Sequence, residues 1–342
     1  MTGTAFTVAC VGAGYFAQLH HAAWQEIAGA ALVGVADPDP IATSPKPVQR
    51  YDSLDAMLAA GPVDILDIVT PPASHAALIE AAIAAGVGRI ICQKPFCGSL
   101  ATARRMTDAA EEAGAALIVH ENFRFQPWYR QLRGEIDRGR AGRLHQFRFA
   151  LRPGDGQGQD AYLDRQPYFR KMDRFLIHET GVHFLDLFTY LFGLPASLYA
   201  DLRRLNETIS GEDAGIIICG YEDGMRAIFD GNRLADHVAE NPRLTMGEAM
   251  LEGSQGSLRI TGSGQLEWRQ HGASDWQVLA GPPEDVSFGG GCVRAFCQHA
   301  VDAWQDDRSP ETDARGYLRV LAMEEAAYAS AMAGTRIDLA GI

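Results

Sequence analysis

The sequence predicts an α/β fold built on a parallel sheet, and three observations point to it. Apolar runs typical of buried strands occur at Phe6–Val11, Ala31–Ala36, Asp64–Val69, Arg89–Cys92 and Ala115–Val119. Apolar residues at helical spacing follow two of these runs, at 73–85 and from Leu100 to Ala113. A glycine-rich turn joins the first run to a further helical stretch. Strands that alternate with helices in this way imply parallel pairing with right-handed crossovers.

Length and charge limit the classes of protein to which this chain can belong. A chain of 342 residues suggests two domains at about 150 residues each. The 43 acidic and 30 basic residues give a net charge of −13, which argues against nucleic acid or an anionic membrane as the main partner. We find neither a signal peptide nor an apolar run of the ~18 residues that a membrane span needs. Six scattered cysteines predict reduced thiols in a cytoplasm.

The turn after the first strand has the pattern G-x-G-x-x-A, formed by Gly12, Gly14 and Ala17. Gly12 permits a tight turn, Gly14 lets the backbone approach a pyrophosphate, and Ala17 permits close packing of helix on strand. The N-terminus of the helix offers N–H groups and positive dipole to phosphates. We therefore predict a dinucleotide site here, with Tyr15 and Phe16 among its residues.

An acidic residue, Asp37, ends the second predicted strand. Its carboxylate is placed to accept both ribose hydroxyls and would repel a 2′-phosphate, which favours NAD over NADP. Four prolines between residues 38 and 47 leave little room for a helix after Asp37. Lys46 or Arg50 can then fold back towards the ribose, so NADP remains open as a cofactor.

The segment Gln93-Lys94-Pro95 follows the fourth predicted strand. Pro95 favours extended geometry at Lys94 and so aims it from the carboxyl edge of the sheet, where open α/β folds bind ligands. An ammonium group there can orient a hydroxyl or share its proton. The alternative is a lysine that merely occupies a turn.

A polar stripe interrupts the apolar run from Phe175 to Phe192. Glu179, His183 and Asp186 are spaced i, i+4, i+7 and would share one helical face. His183 with Glu179 makes a plausible proton-transfer pair. The alternatives are a core histidine satisfied by Glu179, or two ligands of a metal site whose remaining ligands are not apparent. We predict no metal.

The second half of the chain carries the candidate substrate residues. A strand at 142–150 leads into a glycine-containing segment at 152–170, which either closes over the substrate or is a flexible connection. Arginines near it suit a carboxylate or a polyhydroxylated ligand. The candidates are Arg124, Arg152, Tyr168, Arg174 and His178. Further strands near 197–204, 214–221, 224–230, 248–252 and 256–261 predict a large sheet.

Taken together, the motifs resemble the Gfo/Idh/MocA family (glucose–fructose oxidoreductase, inositol dehydrogenase, rhizopine catabolism) over essentially the whole chain. The motifs are the glycine-rich turn, Thr70-Pro71-Pro72-x-x-His75, Gln93-Lys94-Pro95, Asn122-x-Arg124-Phe125-x-Pro127 and Glu179-x-Gly181-x-His183-x-x-Asp186. Two positions depart from the family pattern. Gln93 stands where the family has glutamate, and Glu179 where it has aspartate.

The resemblance implies a Rossmann domain with a doubly wound parallel sheet over 1–121. It also implies a C-terminal α+β domain over 122–342, whose large, mostly antiparallel open sheet forms a homodimer or homotetramer. The implied activity is that of an NAD(P)-dependent dehydrogenase acting on CH–OH groups of a sugar, inositol or related polyol.

The resemblance also implies roles for individual residues. Lys94 would polarise the reacting oxygen, His183 would exchange its proton, and Glu179 would take the aspartate position. The residues expected around the ribose and nicotinamide are Thr70, Pro71, His75, Gln93, Lys94 and Asn122.

Two other functions remain open for such a chain. Some relatives are lyases or glycosidase-like enzymes that act through transient oxidation by NAD. Others are non-catalytic NAD-binding sensors, against which the presence of both Lys94 and His183 argues.

Overall fold

The computed structural model describes residues 5–164 and 166–341. These residues form two compact units. The first runs up to Asn122 and takes in Val293–Arg319, and the second comprises Phe123–Cys292 and the residues from Val320 onward. The sequence had placed all of 122–342 in the second domain. Val293–Arg319 belongs to the first unit because backbone hydrogen bonds hold it to the first sheet. In one of them the N–H of Val119 donates to the carbonyl oxygen of Thr312 at 2.9 Å. No local sequence pattern predicts this contact.

The first unit is built on a six-stranded sheet in which every pair is parallel. Its strands are β1 (Phe6–Val11), β2 (Ala30–Ala36), β3 (Gln49–Tyr51), β4 (Ile65–Ile68), β5 (Arg89–Gln93) and β6 (Ala116–His120), and its first helices are α1 (Ala17–Glu26), α2 (Leu54–Ala60), α3 (Pro72–Ala84) and α4 (Leu100–Glu112). The strand order is β3-β2-β1-β4-β5-β6. The order reverses between β1 and β4, so the predicted doubly wound sheet is confirmed, and its ligand edge lies at their carboxyl ends.

The connection from β2 to β3 contains no helix, as the prolines predict. Residues 37–48 are turns and extended chain, and α2 follows β3 instead. The end of β2 is therefore followed by a short irregular segment. This segment leads to Arg50 on β3, which pairs with β2, and Asp37 directly follows β2.

The second unit is built on a nine-stranded sheet that is antiparallel except between β7 and β10. Its strands are β7 (Leu144–Leu151), β8 (Ser197–Arg203), β9 (Ala214–Gly220), β10 (Arg226–Asn232), β11 (Gly247–Gly253), β12 (Gly256–Ile260), β13 (Leu266–Gln270), β14 (Gln277–Ala280) and β15 (Ile337–Asp338). Its helices are α5 (Pro127–Asp137), α6 (Val182–Phe192) and α7 (Pro242–Thr245). This confirms the mostly antiparallel sheet that the sequence predicts.

Two helices follow near the end of the chain, α8 (Cys292–Gln305) and α9 (Ala314–Ala333). The division between the units falls at the start of α8 and again within α9, after Arg319. Among the described residues, no helix combines the length and the apolar character that a bilayer span requires.

Aromatic packing places α6 on the inner face of the second sheet. Phe184 of α6 stacks on Phe149 of β7 with ring centroids 4.1 Å apart, and lies 5.0 Å from Phe229 of β10. Phe188 meets Phe147 edge to face. Because α6 is buried along most of its length, its polar residues lie in a low-dielectric environment.

Candidate active site

The turn between β1 and α1 has the shape that a pyrophosphate needs. Gly12 has φ +111°, and a Cβ at this position would lie 2.1 Å from the carbonyl oxygen of Val69. A Cβ at Gly14 would meet no heavy atom within 4 Å, so the backbone there faces open space. Ala17 is buried where α1 packs on the sheet. The residues present fit a dinucleotide whose phosphates lie at the start of α1.

The side chains of Tyr15 and Phe16 flank this turn. Tyr15 is largely exposed, and the ring of Phe16 lies edge-on to His20 with centroids 5.5 Å apart. Tyr15 and the partly buried Phe16 stay predictions for the dinucleotide site.

Asp37 is held in place by backbone donors. Its carboxylate accepts from the N–H groups of Ala13 at 2.7 Å and Asp39 at 2.9 Å. The guanidinium of Arg50 donates to the carbonyl oxygens of Asp37 and Asp39. Of the two basic residues considered for the ribose end, Arg50 is thus the one beside Asp37, while Lys46 is exposed.

His75, which the resemblance places near the ribose and nicotinamide, is bonded to backbone at both ring nitrogens. Its imidazole is buried, Nε2 donates to the carbonyl oxygen of Thr70 at 2.8 Å, and Nδ1 accepts from the N–H of Cys97 at 3.4 Å. Burial lowers the pKa of His75, and the backbone bonds oppose that shift only in part. The side chain therefore ties the loop after β4 to the loop after β5. Thr70, which also accepts from Ser74, and the exposed Pro71 remain at the surface of this edge.

Lys94 follows β5 at the carboxyl edge of the sheet and is half-buried. Its backbone N–H donates to the side-chain oxygen of Gln93 at 2.6 Å. The other end of the Gln93 amide lies against His20, which is bonded to Asp67. His20 and Asp67 were missed by the sequence reasoning. The available signal was a carboxylate in the middle of the buried strand β4. Asn122, buried just beyond β6, ends the first unit.

A π-helix at Leu176–Gly181 precedes α6 and interrupts the predicted uniform helix. Glu179 lies in this π-helix, whereas His183 and Asp186 lie in α6. The α-helical spacing on which the shared face rested is therefore broken. The carboxylate of Glu212 holds the start of the π-helix by accepting from the N–H groups of Phe175 and Ile177, both at 3.1 Å.

His183 is 3% exposed and stacks on Phe123, with ring centroids 3.8 Å apart and planes 2° apart. Asp186, one turn further on, forms a two-point ion pair with Arg124, with N–O distances of 2.8 and 2.6 Å. Arg124 was a candidate substrate residue. Its guanidinium compensates the negative charge of the buried Asp186 carboxylate, and its contact with substrate stays a prediction.

The other substrate candidates also contact the second unit itself. Arg152 bonds the carboxylate and the carbonyl oxygen of Asp230, at 2.8 and 2.7 Å. Arg174 pairs with Glu325 at 2.6 Å, and Nδ1 of His178 lies 2.6 Å from the carboxylate of Glu324. Tyr168 is 57% exposed, but its hydroxyl accepts from the side-chain amide of Gln166 at 3.2 Å and its ring lies 4.8 Å from that of Phe169.

Arg233 is a buried cation that the sequence reasoning missed. Its guanidinium lies 3.0 Å from the carboxylate of Asp155, 2.5 Å from the hydroxyl of Thr180 and 4.6 Å from the ring centroid of Phe175. Burial acts to lower the pKa of Arg233, but the Asp155 carboxylate, followed by Tyr162 and Glu179, raises it overall. Arg233 therefore joins the segment after β7 to the π-helix that carries Glu179. Nothing in its local sequence distinguishes it.

No group of three or more His, Cys, Asp or Glu side chains within residues 5–164 and 166–341 is arranged to hold a metal ion.

Comparison with protein families decides the identity. The family model for the oxidoreductase family with an NAD-binding Rossmann fold, GFO_IDH_MocA, matches residues 6–121, and the model for the GFO/IDH/MocA C-terminal domain matches residues 129–263. The chain belongs to the Gfo/Idh/MocA family. The predicted family, the fold class, NAD as cofactor and NAD-dependent oxidoreductase activity are thereby confirmed.

Relatives within the Gfo/Idh/MocA family cover nearly the whole chain. D-apiose dehydrogenase of Paraburkholderia graminis is 33% identical over 344 residues, which cover 98% of this chain and 90% of the relative. D-apiose dehydrogenase of Rhizobium rhizogenes is 31% identical and covers 99% of both chains. An oxidoreductase from Agrobacterium radiobacter, solved with NAD⁺, L-tartaric acid and magnesium, superimposes with a TM-score of 0.89 at 30% identity, covering 98% of this chain and 99% of that one.

Proposed function

We propose that the protein is an NAD-dependent dehydrogenase that oxidises a secondary alcohol of a sugar or related polyol. The observation that carries the proposal is the pairing of an open phosphate cradle at Gly14 with an acidic residue, Asp37, at the end of the neighbouring strand β2. The two D-apiose dehydrogenases, whose alignments cover 98–99% of this chain, support a sugar as the class of substrate.

The turn after β1 and the residue after β2 hold the cofactor in this proposal. Gly14 and the first turn of α1 bind the pyrophosphate through backbone N–H groups. Asp37, fixed by its bonds to the backbone of Ala13 and Asp39, binds the adenosine ribose. NAD held there would supply the acceptor for a hydride from the carbinol carbon of the substrate.

The proton of the substrate hydroxyl is handled by the protein. We assign its exchange to His183, because the stacking contact with Phe123 fixes the plane of the imidazole and burial keeps bulk water from it. Lys94 polarises the reacting oxygen by hydrogen bonding from its ammonium group. Glu179, in the π-helix just before α6, supports His183 from a position stabilised by Glu212 and Arg233.

The outer face of the second sheet supports assembly into a homodimer or homotetramer. Tyr199, Ile218, Ile228 and Met250 follow one another across β8, β9, β10 and β11, in a row that Arg148 of β7 completes. These side chains are partly exposed, and Ile216 beside them is 41% exposed. An apolar face of this kind suits a second copy of the same sheet. The assembly is checked by light scattering on the purified protein.

A cytoplasmic location is proposed from the cysteines. All six are buried thiols, and burial raises the pKa of Cys97 to about 12. They would be kept reduced in that compartment. Fractionation of the source cells with an antibody to the protein checks the location.

The function is tested by NADH absorbance with a panel of aldoses, inositols and hydroxy acids. We expect turnover with an aldose and none with substrates that lack a secondary alcohol. The Lys94→Met variant should lose about 100-fold or more in kcat with NAD binding retained. Lys46→Met, which removes an exposed lysine of the same unit, is the control and should keep kcat. If no member of the panel reduces NAD, the proposal is wrong.

A further inference from the structure

A continuous line of hydrogen bonds runs from the middle of the first sheet to the backbone of Lys94. On β4, the carboxylate of Asp67 accepts from Nδ1 of His20 at 2.8 Å and from Nε1 of Trp24 at 2.6 Å. Nε2 of His20 lies 3.2 Å from the amide nitrogen of Gln93 on β5. The amide oxygen of Gln93 accepts the N–H of Lys94 at 2.6 Å.

The groups at the two ends of this line, the carboxylate of Asp67 and the N–H of Lys94, determine the direction of every hydrogen bond between them. An ionised carboxylate only accepts, so Nδ1 of His20 carries a proton. The N–H of Lys94 only donates, so the oxygen of Gln93 faces Lys94 and its NH₂ group faces His20. Because NH₂ only donates, Nε2 of His20 is the acceptor. His20 is therefore neutral, with its single proton on Nδ1.

Burial makes this arrangement costly to change. Neither His20 nor Asp67 is exposed at all, and Gln93 is buried at the end of β5. An unpaired polar group in such a place loses its hydration without compensation. The other titratable groups around His20 are His21, its neighbour in sequence, and His120, whose ring centroid is 4.1 Å away.

We propose that Asp67, His20 and Gln93 are positioning residues that fix the backbone from which the ammonium group of Lys94 is presented. The inference rests on the role of Lys94 proposed above. Asp67 orients His20, His20 orients the amide of Gln93, and the amide holds the N–H of Lys94. Each residue acts through the next, and only Lys94 reaches the substrate.

The line also accounts for a glutamine at position 93. A glutamate would accept the N–H of Lys94 equally well. Its second oxygen would then face the unprotonated Nε2 of His20, where no donor is available. Such a site requires His20 to take up a second proton. The amide is thus the group that matches a neutral His20.

Two substitutions of Gln93 test the inference. Gln93→Met keeps the size of the side chain and removes both bonds, so kcat should fall about tenfold at every pH, with the Kd for NAD unchanged. Gln93→Glu keeps the acceptor for Lys94 and requires a protonated His20. Its kcat relative to wild type should therefore be near one at low pH and fall as the pH rises.

A matched control separates this effect from a general loss of packing. Thr107→Val removes one buried hydrogen bond, from the Thr107 hydroxyl to the carbonyl oxygen of Ala103, in α4 of the same unit. This variant should keep both kcat and the pH profile. Thermal melting of all variants shows that each is folded at the temperature of the assay.

The outcomes distinguish this inference from the proposed function. If Lys94→Met loses turnover but Gln93→Met turns over like wild type, the inference alone is overturned. If kcat of Gln93→Glu relative to wild type does not change with pH, His20 is not neutral in the wild-type protein and the inference is wrong. Normal turnover of Lys94→Met overturns both the role of Lys94 and the inference.

Discussion

The imidazole of His183 lies face to face with the phenyl ring of Phe123, 3.8 Å between centroids and nearly parallel. Stacking of this kind leaves both ring nitrogens at the edge and restricts rotation about the side chain. The contact therefore fixes the direction in which His183 can exchange a proton, although Phe123 itself carries no polar group.

Replacing Phe123 by leucine should loosen the ring of His183. We expect kcat to fall by about tenfold or more because the imidazole spends less time in the productive orientation, with the Kd for NAD unchanged. Steady-state kinetics and NAD titration by fluorescence measure the two quantities. Phe288→Leu is the control, since Phe288 also packs against Phe123, with centroids 6.3 Å apart. An equal loss of kcat in both variants would contradict an effect through His183.

Arg50, which donates to the backbone carbonyl of Asp37 and pairs with the carboxylate of Asp52, makes cofactor preference easy to change. Wild type should prefer NAD, because the Asp37 carboxylate repels a 2′-phosphate. Asp37→Ser removes that charge and leaves the guanidinium of Arg50 beside the backbone of residue 37. The ratio of kcat/KM for NADP to that for NAD should rise on the order of 100-fold. The exposed Asp55→Ser on α2 should leave the ratio unchanged. Equal kcat/KM values for both cofactors in wild type would overturn the role of Asp37.

Arg233 predicts a large and specific effect on stability. Arg233→Met keeps the volume but removes the buried cation that pairs with the carboxylate of Asp155, so the free energy of unfolding should fall by about 3–5 kcal/mol. Chemical denaturation measures this change. The exposed pair of Arg203 with Asp201 offers the control, and Arg203→Met should leave stability unchanged. The double variant Arg233→Met, Asp155→Leu should be more stable than Arg233→Met alone. A lower stability would show that loss of the charge pair is not the cause.

His75 predicts that stability depends on pH. Burial lowers its pKa below the ordinary value of 6.5, so the unfolded chain binds a proton that the folded chain resists. Stability contributed in this way is fully present above about pH 6.5 and is lost as the pH falls. The Tm of wild type should therefore drop between pH 7 and pH 5. His75→Gln should show a smaller drop, whereas His145→Gln, which changes an exposed histidine on β7, should match wild type. Identical drops in all three proteins would rule out His75 as a source.

The parts of the fold that could be predicted are those with a local cause. The five strands of the first sheet that the sequence identified lie within a residue or two of their predicted ends, because each is a short apolar run between turn residues. β3 was missed, since Gln49, Arg50 and Tyr51 form a short and largely polar edge strand. The glycine-rich turn was recognisable because Gly12 adopts a positive φ that other residues avoid.

The parts that could not be predicted depend on residues far apart in the sequence. Arg174 and His178 pair with Glu325 and Glu324, which lie about 150 positions away and which no local pattern identifies as their partners. The π-helix also depends on a residue that is distant in the sequence, because the carboxylate that holds its first turn belongs to Glu212. Spacing along the chain predicts which side chains lie on the same face of a helix. It does not predict which charged residue from a distant part of the sequence packs against that face.

The return of Val293–Arg319 to the first unit has a consequence for the order in which the protein is made. Thr312 bonds both the N–H and the carbonyl oxygen of Val119 on the edge strand β6, and Arg315 pairs with Asp108 and Glu111 of α4. During translation, the edge of β6 stays unpaired until the ribosome has added nearly 200 further residues, which is the separation between Val119 and Thr312. A nascent chain released at residue 121 would carry an open strand edge, which is a site for pairing between chains. The first unit therefore gains its last segment only near the end of synthesis, although its sheet is synthesised first.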